Sequence, residues 1–370
     1  MHSSVFHDSD PAGLAPDFHY LEDPAPGKLG ETPEAFLATL PGPTLIYLHG
    51  EDRSRTRALV TLLHGNEPSG FRALHRWLRS GARPRVNIVC LIASVEAAQR
   101  PPTFSHRTLP GQRDLNRCFR APFEVDAQGL LAQRILAALA QYAPEAVIDV
   151  HNTSGSGPSF AVSISADARH LALCTLFTRR MVLTDLRMGS LMEIGEHMVP
   201  TITIECGGRL DDGAHTLAWA GIDHFFRRAE VLHDERTEIA VEVMRNPVRL
   251  ELTPRCTLAY AEAPRDDVYL TLRPGIERHN FGVTPAGTAL GWVRGAALGE
   301  RFVARNNARS CLLRDLLLLD HGALLTRQAL KLFMITNNPD IARSDCLLYA
   351  VQADGSELVP GVGAPDGADV

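Results

Sequence analysis

The chain lacks long hydrophobic runs: no stretch approaches the roughly 18 uncharged apolar residues that a membrane span requires. It lacks charge runs as well, with no five like charges in succession. A net charge of −6 over 370 residues points to no nucleic acid and no anionic membrane as partner. Met1 to Asp8 have neither a basic segment nor an apolar core, so a secretory signal is not expected. Seven cysteines (Cys90, Cys118, Cys174, Cys206, Cys256, Cys311 and Cys346) form an odd set without CxxC spacing, several inside apolar runs. Reduced thiols and a cytoplasmic location are therefore expected. Also missing are an HExxH helix, a GxSxG elbow, a Walker A loop and a GxGxxG turn after a strand.

What remains is an ordinary globular composition, 45% hydrophobic and 22% charged, with a mean hydropathy of −0.06. The length suits one large domain and a smaller one. Residues 1–42 read as an irregular lead-in, interrupted by a short helix capped by Thr32 with Pro33 at its first position. Strands are expected at 44–48, 58–63, 86–93, 145–150, 160–165, near 182–183 and at 201–205. Helices are expected after Ser69, then over 127–142, 167–181, 190–197 and 212–230. The alternation is that of an α/β domain over residues 1–245. From Asn246 short β-type runs at 248–252, 269–272, 282–287, 291–293 and 347–351 predict a smaller, mostly β domain, residues 246–370, with a frayed tail from Asp354.

Three of the expected strands lead into groups that carry chemistry. His64-Gly65-Asn66-Glu67 follows the apolar run 58–63, His151 follows 145–150, and Glu205 follows 201–204. In open α/β sheets the ligand site lies outside the carboxyl ends of the strands, so these groups should converge. Two imidazoles and a carboxylate are the ligand set of a catalytic zinc ion, which keeps a fourth position open. The polar segment 94–124 is long enough to be functional. It carries Arg107 and the run Arg113-Asp114-Leu115-Asn116-Arg117, whose guanidinium groups match a carboxylate or an oxyanion.

Together the residues fit metal-assisted hydrolysis. His64, Glu67 and His151 would hold one Zn2+ per chain, lowering the pKa of a bound water toward ~7. Glu205 would act as general base and then acid. An arginine of the loop would stabilise the oxyanion, and the Asn116/Arg117 pair would hold a substrate carboxylate. Asp149 or Asp114 would orient a ligand histidine; nothing in the sequence chooses between them. His106 stays open as a further candidate because it adjoins Arg107. Cys206, beside Glu205, reads as a packed thiol.

His64-Gly65-Asn66-Glu67-Pro68-Ser69-Gly70, Asp114-Leu115-Asn116-Arg117, Asp149-Val150-His151-Asn152-Thr153 and Thr203-Ile204-Glu205-Cys206-Gly207-Gly208 resemble, in order, the motifs of the succinylglutamate desuccinylase/aspartoacylase family. That resemblance implies a three-layer α/β/α zinc carboxypeptidase-like domain with a mixed central sheet, followed by a small β domain. It implies zinc at His64, Glu67 and His151, and Glu205 as catalytic acid/base. It implies deacylation of a small N-acyl amino acid whose carboxylate meets Asn116 and Arg117. An arginine upstream of the DLNR run would polarise the scissile carbonyl. Leu109-Pro110-Gly111-Gln112 shifts the spacing, so this is Arg107 or Arg113, with Arg107 preferred and Arg113 otherwise substrate-binding. The alternatives are a carboxypeptidase-like hydrolase of a short or modified peptide, or a metal-binding sensor module without catalysis. Oligomeric state is not readable from these residues, and a homodimer is no more than the default.

Overall fold

The computed structural model describes residues 18–196, 198–233, 240–295, 298–299, 301–305 and 313–359. The start of the lead-in, His197, Cys311 and the end of the tail lie outside these residues. Strands and helices alternate up to Arg245. The strands are β1 (His19–Glu22), β2 (Thr44–Leu48), β3 (Asp52–Thr61), β4 (Val86–Ile92), β5 (Val147–Thr153), β6 (Phe160–Ser163), β7 (Arg180–Leu183), β8 (Thr201–Gly208) and β9 (Val241–Arg245). They join one sheet in the order β1-β2-β4-β3-β5-β8-β6-β7-β9. Its centre, β4-β3-β5-β8, is parallel, while β2 and β6 run antiparallel to their neighbours β4 and β8. The sheet is therefore mixed.

The helices are α1 (Pro33–Thr39), α2 (Ser69–Ser80), α3 (Val95–Gln99), α4 (Ala127–Tyr142), α5 (Ala168–Thr175) and α6 (Asp212–Arg227). Thr32 caps α1 by accepting the Ala35 N–H at 3.1 Å, with Pro33 in the first turn. The period-2 alternation of β3 sends Leu59 to one face and Ala58 and Val60 to the other. Leu59 packs with Phe71, Leu74 and Trp77 of α2 and with Phe225 and Phe226 of α6. Trp77 meets Phe226 edge-on at 5.1 Å. On the opposite face, Leu131, Ile135 and Leu139 of α4 cover Val60 and Val147. Burying both faces of a parallel centre makes the three-layer α/β/α architecture.

After Asn246 come β10 (Val248–Leu252), β11 (Leu258–Tyr260), β12 (Leu270–Leu272), β13 (Ala289–Val293), β14 (Phe302–Arg305), β15 (Leu317–Asp320), β16 (Ala323–Thr326), β17 (Leu330–Phe333), β18 (Leu348–Gln352) and β19 (Ser356–Val359). Two small sheets, β14-β10-β18-β17 and β11-β12-β13-β16-β15, enclose a second core around Leu250, Leu272, Leu324, Leu332 and Leu348. β19 does not join them. It pairs antiparallel with β9 and completes the large sheet as its tenth strand.

Several sequence expectations are corrected here. The tail is not frayed from Asp354, because β19 covers what would otherwise be an open edge at β9. The helix expected over 167–181 stops at Thr175, and Arg180–Leu183 becomes a strand between β6 and β9. There Met181 and Val182 are buried, and pairing outweighs the local helical pattern. The helix expected at 190–197 is a short 3-10 segment, Leu191–Glu196. Residues 282–287 form no strand beyond a single bridge from Thr284 to Leu330. The polar segment 94–124 holds α3 and the 3-10 turn Leu115–Arg117. His151 lies within β5, not after it, because pairing extends as far as Thr153, and β8 runs past Glu205, its expected end, to Gly208.

Candidate active site

The site forms where β3, β5 and β8 end side by side. Register places Asp149 opposite Thr203 and His151 opposite Glu205. β3 stops at Thr61, and Leu62 adopts a left-handed backbone, φ 54°, that turns the chain before His64. Non-glycine residues in that region cost energy and cluster at functional sites. Two glycines of the motif serve close approach. A Cβ on Gly65 would meet the backbone of Ala97 and Ala98 at 2.5–2.7 Å. One on Gly70 would strike Val150 Cβ at 2.8 Å and Thr61 Oγ1 at 2.6 Å, forcing α2 away from the sheet.

His64, Glu67 and His151 are buried, and one donor atom from each lies within 4.8 Å of the others. The Nδ1 atoms of His64 and His151 sit 2.9 and 2.7 Å from the two oxygens of Glu67. Their outward Nε2 atoms each meet a separate carboxylate: Asp114 Oδ1 at 2.8 Å for His64, and Asp149 Oδ2 at 2.7 Å for His151. Both aspartates therefore orient a histidine, a choice the sequence left open. Such outer carboxylates fix ring orientation and strengthen the ligand. His64 Nδ1 is buried with no hydrogen-bond partner. A donor set of two imidazole nitrogens and one carboxylate within 4.8 Å of one another, one nitrogen lacking a hydrogen-bond partner among the described residues, fits a zinc ion with one open position.

The electrostatics agree with a site built for positive charge. Burial alone would raise the Glu67 carboxyl, but the two imidazoles hold it well below the usual carboxylate range. Burial would lower His151, and Asp149 and Glu67 together push it well above the ordinary imidazole value. His64 is raised too, with Glu67 and Asp114 outweighing burial and Arg107. Glu205 differs. Burial, helped by Glu67, pushes its carboxyl up to about 7, and its Oε2 has no hydrogen-bond partner.

Arg107 donates to Glu67 Oε1 at 3.1 Å and to Asp114 Oδ2 at 2.9 Å, so it lies beside the cluster and lines the cavity in front of it. Arg117 and Asn116 line the same cavity. The Asn116 side-chain oxygen accepts the Leu191 N–H at 2.9 Å, and Arg117 donates to the Asn116 carbonyl at 2.7 Å. Arg113 is not brought to the cluster. It is bound at 2.5 and 2.7 Å to Asp126, the N-cap of α4, and it does not line that cavity. His106 also stays outside the cavity, its Nδ1 2.9 Å from Ser105 Oγ. Cys206 is buried, and burial pushes its thiol well above the usual range, as for a packed, unreactive group.

The β domain contributes residues that sequence reasoning missed. Arg249 and Tyr349, on β10 and β18, line the cavity together with Asp345 and with Phe333 of β17. Asp345 accepts from Arg249 Nη2 at 2.8 Å and lies 3.8 Å from Arg117 and 3.9 Å from Arg107. No motif or spacing marks these residues in the chain. Only the packing of β17 and β18 against β6 brings them in.

Layer order, sheet and site define an α/β/α domain of the zinc carboxypeptidase-like class. Residues 54–220 match the succinylglutamate desuccinylase/aspartoacylase catalytic domain. The fold is similar to that of a succinylglutamate desuccinylase/aspartoacylase from Rhodobacter sphaeroides. That match has a TM-score of 0.52 at 15% identity, over 86% of this chain and 87% of the other. It is similar also to murine aminoacylase 3 (TM-score 0.50, 16% identity, 84% and 98% covered). A succinylglutamate desuccinylase from Chromobacterium violaceum gives 0.50 at 13% identity, over 85% and 89%. No curated protein matches the chain by sequence. No helix among the described residues is long and apolar enough to cross a membrane.

Proposed function

We propose that the protein is a zinc-dependent deacylase that hydrolyses the amide bond of a small N-acyl amino acid. One observation carries this reading: His64 and His151, each held from behind by its own aspartate, aim their Nδ1 atoms at Glu67, with Glu205 across the strand pair from His151. Zinc bound by these three residues would supply Lewis acidity and lower the pKa of water toward ~7. Glu205 takes the proton of the attacking water and returns it to the leaving amine. Its unpaired oxygen and its carboxyl near 7 suit a group that must both accept and release a proton. Arg107 donates to the carbonyl oxygen as charge develops on it. Arg117, with Asn116, holds the carboxylate of the amino acid.

The catalytic unit in this reading is residues 1–245, completed by β19, and the two small sheets after Asn246 form a second unit whose Phe333, Asp345 and Tyr349 wall the cavity. A cavity walled by both units favours a small substrate over a peptide. The test is elemental analysis for bound zinc, followed by an assay of free-amine release from N-acyl amino acids by wild type and Glu205→Gln. About one zinc per chain, with turnover reduced about 10²- to 10⁴-fold in the variant, is expected. Absence of stoichiometric metal, or undiminished activity in the variant, overturns the scheme.

A further inference from the structure

The cavity has apolar as well as polar lining. Besides the His64/His151 cluster, it is walled by Phe160 and Val162 of β6, which pair with Glu205 and Thr203 of β8, by Val182 of β7, Leu186, and Phe333 and Met334 of the β domain. Phe160 meets Phe333 edge-on at 5.6 Å, and Phe333 stacks on Tyr349 at 5.5 Å, so the wall is a continuous packed surface from both units. Three hydroxyls that line the cavity already have partners, and that of Tyr349 accepts from Arg249 Nη1 at 2.6 Å. Thr184 accepts the Leu186 N–H at 3.1 Å, and Ser190 donates to Glu193 at 2.9 Å.

The cations of the cavity are nearly all matched by carboxylates. Arg107 is bound to Glu67 and Asp114, and Arg249 to Glu251 and Asp345. Arg117 alone among the described arginines lining the cavity has no carboxylate within hydrogen-bond distance, the nearest oxygen being that of Asp345 at 3.8 Å. The cavity thus has an anchor for one substrate carboxylate. A second carboxylate against the apolar side chains would lose its water, and the nearby cation Arg249, 5.5 Å over the Tyr349 ring, is already matched by Glu251 and by Asp345, which would repel it.

We propose that the apolar wall receives a neutral, apolar group, so that the enzyme selects aliphatic or aromatic N-acyl amino acids over those with a second carboxylate. The proposal rests on the deacylase reading and specifies its substrate class. The apolar group has two sources, the amino-acid side chain or the acyl chain, and the assay separates them. The zinc-loaded protein is given N-acetyl-leucine against N-acetyl-aspartate, and N-hexanoyl-alanine against N-acetyl-alanine.

A preference of roughly tenfold or more for leucine over aspartate places the side chain at the wall. A gain of about fourfold in kcat/KM per added acyl methylene places the acyl chain there. N-acetyl-aspartate turned over as well as N-acetyl-leucine, with no gain from the longer acyl group, overturns the proposal. If none of these compounds is hydrolysed, the deacylase reading fails and the wall is read by calorimetry with hexanoate against succinate. Tighter hexanoate then supports an apolar wall, and tighter succinate or no binding of either overturns it. Val162→Arg, its fold checked by circular dichroism, gives the wall a cation and should move selectivity toward N-acetyl-aspartate by roughly tenfold. Unchanged selectivity in a folded variant overturns the placement.

Discussion

Asp114 meets the outward nitrogen of His64 at 2.8 Å, and its other oxygen accepts from Arg107 at 2.9 Å. One side chain thereby fixes both the orientation of the His64 imidazole and the position of the guanidinium beside the cluster. Asp149 does the first of these tasks for His151 and has no arginine partner among the described residues.

Removing either carboxylate should loosen the metal but in different ways. Asp149→Asn and Asp114→Asn are each expected to weaken zinc binding about 10- to 100-fold, read by competition with a chelator. Only Asp114→Asn should also lower kcat once zinc is saturating, because it frees Arg107. Equal kcat for both saturated variants would separate Arg107 from the chemistry.

The two arginines that spacing could not tell apart should separate sharply by mutation. Arg107→Ala is expected to cut kcat by about 10²- to 10³-fold, the effect of losing one oxyanion donor. Arg113→Ala breaks a half-exposed pair with Asp126 and should change stability by only about 1 kcal/mol or less. Steady-state kinetics and urea titration of both variants check this.

Glu205 makes the stability of the metal-free protein depend on pH in a direction that can be worked out. Its folded carboxyl is pushed up to about 7 from 4.5, so between these values the folded state holds a proton that the unfolded state has lost. Stability from this group is present below about 4.5 and falls as pH rises toward 7, by up to ~3 kcal/mol. Glu205→Gln removes that dependence. Urea denaturation in the presence of chelator should show the variant gaining on wild type from pH 5 to pH 8; a constant difference would sink the account.

Gly70 carries a packing prediction. Gly70→Ala sets a methyl against Val150 and Thr61 below contact distance, and it should cost about 1–3 kcal/mol in denaturant titration. Because α2 follows directly on the ligand loop, zinc affinity should fall with stability. A neutral effect would mean that α2 shifts freely.

The ligand candidates were legible because each sits next to a run of β-branched and aliphatic residues, and parallel strands deliver their carboxyl ends to one edge. The α/β/α layers were legible for the same reason: β3 and β5 alternate between two apolar faces that only two helical layers can cover. β7 was hidden because Arg180–Leu183 is short and continues a helical pattern. β14 and β17 are four-residue strands whose register is set by β10 and β18, partners elsewhere along the chain. Asp345 and Arg249 left no local mark, since a buried ion pair between separate elements has no spacing rule.

By itself the sequence determined the types of group that meet at the strand ends: two imidazoles, two glutamates and an arginine-bearing loop. Local chemistry decides these, because residue type and strand position are properties of contiguous segments. The tertiary structure alone decided which aspartate backs which histidine and which arginine reaches the cavity. It also decided that β6, β7 and β17 put apolar side chains into the same cavity as the cluster. Those outcomes depend on register and on packing between distant segments, and no window of the chain contains both partners.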